Sequence, residues 1–194
     1  MGPMPSRSAP PTKVITYLAM DAPPAHPPVA PPPWPLTIVH ARRPTLAFYR
    51  FLYDTVGEPW AWTDRRRMDQ HALAALLASP EVEVHVLYDD GVPAGYVELD
   101  ARRSPEIEVQ YFGIMPERLG KRLGPYLLDW AIRRAWSLGA SRLVVNTCTL
   151  DHPKALSLYQ RFGFRIVREE ETALEDEAAV NASAPLRARL LAAR

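Results

Sequence analysis

The sequence predicts a mixed α/β layer fold, a mostly antiparallel sheet of six to seven strands flanked by about four helices. Three observations carry this. Short β-branched and aromatic runs recur, two of them (82–88 and 92–100) joined by the hairpin signal Asp89-Asp90-Gly91. Segments with apolar residues at helical spacing alternate with those runs. The order strand, helix, helix, three strands, helix, strand, helix, strand fits neither an all-α nor an all-β architecture.

The elements follow in order. Residues 1–12 show no periodicity and are expected to be disordered. Residues 13–20 (KVITYLAM) read as a short strand, expected as an addition at a sheet edge. Eight of the thirteen residues from 23 to 35 are proline, which favours a stiff polyproline path joining that strand to the rest. Residues 1–35 are therefore expected to be an N-terminal extension, 36–170 the domain proper, and 171–194 a tail.

The domain opens with a strand at 36–40 and a helix at 44–56 ended by Gly57. A second helix, capped by Thr63 or Asp64, carries Met68, His71, Leu73, Leu76 and Leu77. Trp60 and Trp62 lie between them in a loop, where they either plug the core or wall a pocket. After the hairpin comes a central strand at 107–114. It leads through Leu119-Gly120-Lys121-Arg122-Leu123-Gly124 into a helix whose face carries Leu123, Leu127, Trp130, Ala131 and Leu138, with Pro125 in its first turn. A buried strand at 142–149, a short helix at 153–164 with Gly163 at its cap, and a last strand at 164–168 complete the domain. Residues 169–177 hold six acidic groups. Together with residues 178–194 they read as a solvated tail, partly disordered or ending in a short docking helix around Leu186, Leu190 and Leu191.

Composition excludes several classes. A formal net charge of +1 and the lack of a dense basic face argue against nucleic acid as a partner. The lone Cys148 excludes a disulfide framework and fits a reducing compartment. No run of apolar residues is long enough to span a membrane and the N-terminus lacks a signal-peptide pattern, so a cytoplasmic location is expected. The five histidines, His26, His40, His71, His85 and His152, show no ligand spacing, and no metal site is expected.

A glycine-containing loop with Arg118, Lys121 and Arg122 before a helix is suited to a diphosphate, because the helix start offers unpaired N–H groups and a partial positive charge. Together with Tyr159 shortly before Gly163-Phe164, residues 36–170 resemble the GNAT superfamily of acyl-CoA-dependent N-acyltransferases. That resemblance implies acetyl-CoA as cosubstrate and a diphosphate held at Leu119, Gly120, Lys121, Arg122, Leu123 and Gly124. Leu119 stands where the family has Gln or Arg, Arg122 where it has a glycine, and His152 where many members have Asn. Arg122 matters only if its position needs positive φ, where a Cβ is unfavourable.

Transfer to an amine requires that the amine lose a proton, that the carbonyl oxygen be stabilised and that the thiolate be accommodated. An alkylamine near pKa ~10.4 sits roughly 3.4 units above neutral pH, so deprotonation costs about 4 to 5 kcal/mol. A carboxylate at the site can take that proton. Strand alternation places Glu106, Glu108, Gln110 and Phe112 on one face and Ile107, Val109, Tyr111 and Gly113 on the other. Glu108 is the first choice of base, with the spacing to Ile114 that the resembled family uses; Glu98 is the alternative, and an ordinary solvent-facing carboxylate competes for both. The resemblance further implies the Ile114 N–H as oxyanion donor, with Gly113 either opening a bulge there or serving close packing. It also implies Ile114 and Met115 backbone groups pairing with the pantetheine arm, Tyr159 as the acid for the thiolate, and an acceptor site under the Trp60/Trp62 connection. Tyr159 equally suits an apolar core. Asn146 and His152 are expected at the cofactor, and Trp60, Trp62, Glu98 and Tyr111 at the acceptor. Cys148 has no histidine in evident pairing and is expected as a buried strand residue. The favoured acceptor is a small-molecule amine, with Arg65 or Arg66 as a holder if it is an amino acid. A protein N-terminus or lysine, and a catalytically silent CoA-binding module, are the rivals; a homodimer is left open.

Overall fold

The computed structural model describes residues 11–192 apart from residue 175; the expectation for residues 1–10 lies outside the described residues. Seven strands, β1 (Thr12–Met20), β2 (Leu36–His40), β3 (Val82–Asp89), β4 (Val92–Arg103), β5 (Glu106–Ile114), β6 (Arg142–Cys148) and β7 (Arg165–Ala173), form one open sheet in the order β2-β3-β4-β5-β6-β1-β7. Every pairing is antiparallel except β5 with β6. Among the described residues six helices accompany it: α1 (Leu46–Gly57), α2 (Asp64–Arg67), α3 (Gln70–Ala78), α4 (Leu123–Ser137), α5 (Ala155–Arg161) and α6 (Glu177–Ala192). The mixed, mostly antiparallel architecture is as expected, with more helices than foreseen. Among the described residues no helix is long and apolar enough to cross a membrane.

The sheet separates two apolar layers. On one side α4 buries Leu123, Leu127, Leu128, Ala131, Ile132 and Ala135 against Leu99, Ile107, Val109 and Leu143. On the other, Tyr49, Leu52, Tyr53 and Val56 of α1 and Leu73, Leu76 and Leu77 of α3 pack on Val84, Val86 and Tyr96. The predicted second helix is two elements. Met68 is extended between them, and the Asp69 carboxylate accepts from the His71 and Ala72 N–H groups to begin α3 afresh.

Two corrections concern the chain ends. β1 is not an edge strand. It lies between β6 and β7, with Leu18, Ala19 and Met20 no more than 3% exposed; its alternation identified a strand but carried no information about neighbours. The acidic run is likewise not tail at its start, for Glu169, Glu170 and Glu171 belong to β7 and accept from Thr16, Tyr17 and Thr12 of β1. β7 is the sheet's edge, where charge discourages pairing with other chains. Beyond it, α6 is a helix with Pro185 in its interior, lying against the Trp60 turn, with Ser183 buried and Arg187 donating to the Leu150 carbonyl.

The proline-rich strap crosses α4. The Val29 N–H donates to the buried Asp129 carboxylate at 2.9 Å, and Arg133 donates both to Asp129 and to the His26 carbonyl, at 3.0 and 2.7 Å.

Candidate active site

β5 and β6 are paired only from Glu106↔Arg142 to Val109↔Val145. Beyond that point they part, and the gap holds a cavity of about 240 Å³ walled by Trp62, Asp64, Tyr111, Asn146, Asp151 and Tyr159. A second cavity of about 320 Å³ lies against the 119–124 loop, with Leu119, Gly120, Arg122, Leu123 and Gly124 on its wall. Trp60, Phe112, His152 and Ala155 belong to both walls, so the two spaces adjoin.

The loop is built for close approach. Gly120 has φ +83° with nothing within 4 Å of where a Cβ would stand. Arg122 occupies the position before α4 with φ +61° and no side-chain cap, which leaves the first-turn N–H groups facing the second cavity's end of the helix. The condition that made the Arg-for-Gly departure matter is therefore met. Leu123, 1% exposed, pins the loop to the core.

Strand alternation breaks where the chemistry lies. Glu98 pairs with Tyr111 but Leu99 pairs with Val109, so Gln110 is an extra residue, a bulge in β5. It exchanges the faces. Ile107 and Val109 lie on the α4 side and so do Phe112 and Ile114, while Tyr111, Met115 and Gly113 lie on the α1 side. Glu108 thus faces the same side as Tyr111, not Phe112 as strict alternation predicted. It does not line the 240 Å³ cavity but sits beside it, in a cleft shared with Asp100, Arg102 and Gln110. Asn146, on the cavity wall, donates to its carboxylate at 3.3 Å. Burial, then the neighbouring Asp100 charge, pushes the Glu108 carboxyl above its ordinary value.

The Met115 N–H donates to the Ala94 carbonyl at 2.9 Å. Because successive N–H groups of a strand point to opposite edges, that of Ile114 points to the edge from which β6 has departed. Across the gap, Tyr159 is buried against Phe112 and Phe164, and its phenol is pushed well up by burial and then by Asp151. Asp151 accepts from Trp62 Nε1 at 3.1 Å, Thr147 Oγ1 at 2.9 Å and the Cys148 N–H at 2.8 Å. Asp64 accepts from the Tyr111 phenol at 3.3 Å. These two carboxylates went unread in the sequence; Asp64 was legible only as a helix cap, and nothing in the spacing joins residue 151 to residue 62.

Residues 45–164, more than half of the chain, match the model of the acetyltransferase (GNAT) family. The chain belongs to the GNAT acetyltransferase family. Solved structures share its fold. A GCN5-related N-acetyltransferase from Kribbella flavida superposes with a TM-score of 0.57 at 15% identity, over 84% of this chain and 58% of that one. For an IAA acetyltransferase from Bacillus cereus ATCC 14579 the values are 0.51, 23%, 69% and 79%. For an aminoglycoside acetyltransferase, meta-AAC0020, from an uncultured soil metagenomic sample they are 0.54, 15%, 66% and 87%. This chain spans less than two thirds of the Kribbella protein's length, and identities this low speak to the fold alone. No curated protein matches the sequence.

Within this GNAT domain several expected roles change. Glu98 is fully buried, takes Arg65 at 2.6 Å and the Tyr49 phenol, and reaches neither cavity; it is a structural ion pair, neither a base nor an acceptor contact. Arg65 is consumed by the same pair, and Arg66 binds Asp54 at 2.6 Å. The Met115 N–H is taken by Ala94, so it does not serve a pantetheine arm, and the Met115 carbonyl already accepts from Arg118 N with one lone pair. Gly113 sits in a regular ladder opposite Tyr96, and a Cβ there would stand 2.2 Å from Val56 Cγ1: the glycine serves packing against α1, and the bulge is at Gln110. The two tryptophans do both jobs proposed for them. Trp60 is 7% exposed and Trp62 packs on Tyr53 and Tyr111, yet both line the cavity. Cys148 lines it too, its thiol pushed up to about 11 by burial and Asp151.

Histidine spacing along the chain missed one cluster. His40 and His85 are cross-strand partners, and with Glu83 their donor atoms lie within 4.8 Å of one another. Glu83 already accepts from His85 Nε2 at 2.7 Å and from Arg134 at 2.6 and 2.9 Å, an arrangement that ties β3 to α4.

Proposed function

We propose that this protein transfers an acetyl group from acetyl-CoA to the amine of a small molecule, by direct attack within a ternary complex in the cytoplasm. The observation that carries the reading is the parting of β5 from β6. It turns the Ile114 N–H into the gap where the loop-side cavity meets a carboxylate-lined one.

In this reading the open N–H groups around Gly120 and Gly124 receive the diphosphate. The Ile114 N–H donates to the thioester carbonyl oxygen as it becomes anionic. The nitrogen attacks the carbonyl carbon, and its proton passes through water to Glu108. The raised pKa of Glu108 brings its basicity nearer to neutral pH. The carbon–sulfur bond then breaks, and the Tyr159 phenol, kept protonated by burial, donates to the leaving thiolate. A thiol held near 11 makes Cys148 a poor nucleophile, which supports direct attack over an acyl-enzyme.

Asp64 and Asp151 beside the faces of Trp60, Trp62 and Tyr111 suit a cationic amine, since carboxylates and aromatic faces both attract it before deprotonation. An enclosure of about 240 Å³ supports a small molecule over a protein chain. The test is release of free thiol from acetyl-CoA across a broad amine panel. Turnover with small cationic amines is expected, and Glu108→Gln should lower kcat by 10²-fold or so with the KM for acetyl-CoA little changed. CoA binding without transfer to any amine would leave only a binding module, and transfer confined to peptides would replace the acceptor class.

A further inference from the structure

A third and larger space, of about 1110 Å³, lies between the strap and the loop that precedes α4. On one side stand Pro31, Pro32, Pro33 and Trp34; on the other stand Lys121, Arg122 and Arg161. The cations are unlike their neighbours. Arg118, Arg133, Arg134 and Arg142 each have a carboxylate within ion-pair reach, whereas among the described residues none of Lys121, Arg122 and Arg161 does. Three cations converging on one cavity without a counter-charge suit an anion that arrives with the ligand. Trp34 is 38% exposed, on a segment that proline stiffens and that Val29 and His26 fasten to α4. A large aromatic face held out from a rigid strap suits the flat ring of a base.

Position selects the ligand. Gly120, Arg122, Pro125 and Arg161 line both this space and the cavity that receives the diphosphate in the proposed acyl transfer, on which this step rests. The part of the cosubstrate beyond the diphosphate would then meet the strap pocket. We propose that the strap is a binding element for the 3′-phosphorylated adenosine end of CoA, with Trp34 stacked on the adenine and Lys121 and Arg161 holding the 3′-phosphate. The chain would then select its cosubstrate by its nucleotide end as well as by its thioester.

The experiment uses the full-length chain and three variants, Trp34→Ala, Trp34→Phe and Arg161→Gln. The first probe is adenosine 3′,5′-bisphosphate, which has neither thiol nor acyl group, titrated by calorimetry; the second is the KM for acetyl-CoA against acetyl-dephospho-CoA. Expected are bisphosphate binding that Trp34→Ala weakens about tenfold and Trp34→Phe largely restores, and a KM for acetyl-CoA raised about tenfold in Trp34→Ala with kcat unchanged. The wild-type preference for the 3′-phosphorylated cosubstrate should be lost in Arg161→Gln. Bisphosphate that does not bind, or parameters in Trp34→Ala equal to wild type, would overturn the pocket while leaving acyl transfer standing. Bisphosphate bound through Trp34 in a chain that acetylates no amine would uphold the pocket and remove the catalytic reading instead.

Discussion

Arg122 holds a backbone conformation that its own side chain opposes. Its φ of +61° lies in the left-handed region, where a Cβ costs about 1 kcal/mol relative to glycine. Arg122 meanwhile lines the two spaces assigned to the cosubstrate's phosphates. Arg122→Gly should therefore move two quantities in opposite directions. Stability in urea denaturation should rise by about 1 kcal/mol, and calorimetric affinity for CoA should fall several-fold; a parallel gain in both would mean that the side chain takes no part in binding. Tyr159→Phe should reduce kcat at least tenfold with CoA affinity nearly intact, whereas wild-type turnover would make Tyr159 a core residue only. The pH dependence separates the acid from the base. Because burial and the Asp100 charge raise the Glu108 carboxyl, activity should climb with pH through a value above the ordinary carboxylate range. Removing the like charge in Asp100→Asn should slide that limb of the kcat profile to lower pH. Tyr159 stays protonated across the neutral range and should add no limb there.

At the scale of elements, the tie between β3 and α4 contributes to acid stability. Burial opposes a charge on Glu83, but hydrogen bonds from Arg134 and His85 outweigh it and hold the carboxyl down at about 2. A depressed carboxylate adds stability that is fully present above its unfolded pKa near 4.5 and is lost as pH falls toward 2. Glu83→Gln should thus lower stability at pH 7 by on the order of 1 to 2 kcal/mol, the full linkage value being reduced by solvent screening at the part-exposed Arg134, and flatten the loss on acidification, read from urea midpoints at pH 7 and pH 3. Elements of this kind were legible to the degree that one strand or helix face reports its own burial. The runs read at 36–40, 82–88 and 142–149, the face of α4 and the loop at Gly120 all carry that local signal. Glu98 carries none, since a strand carboxylate destined for Arg65 and Tyr49 reads like one destined for water. The bulge at Gln110 is equally silent, because an extra residue is defined by its partner strand; it alone reverses the predicted faces from Tyr111 onward.

For the whole molecule the decisive fact is that the first strand is the sixth in the sheet. Sequential strands usually lie side by side, yet β1 passes its natural neighbour β2, at the far edge, and sends the chain back across α4 as the strap. Among the described residues β7 pairs with β1 and with no other strand, so its whole ladder depends on residues that precede the matched family segment 45–164. Leu18 and Met20 are also buried in the layer under α4, each worth about 2 kcal/mol against a total stability of about 5 to 15 kcal/mol. A chain lacking residues 1–22 should therefore lose most of its cooperative unfolding transition. In whatever fold persists, limited proteolysis should cut first within 165–173, since that segment has lost both its hydrogen-bond partner and its place at the sheet. Adding a peptide of residues 11–22 in trans should restore protection there, because the cleft between β6 and β7 accepts antiparallel pairing on both sides. Had β1 been an added edge strand, β6 and β7 would be direct neighbours and the truncation would leave 165–173 protected, so the cleavage pattern alone distinguishes the two topologies.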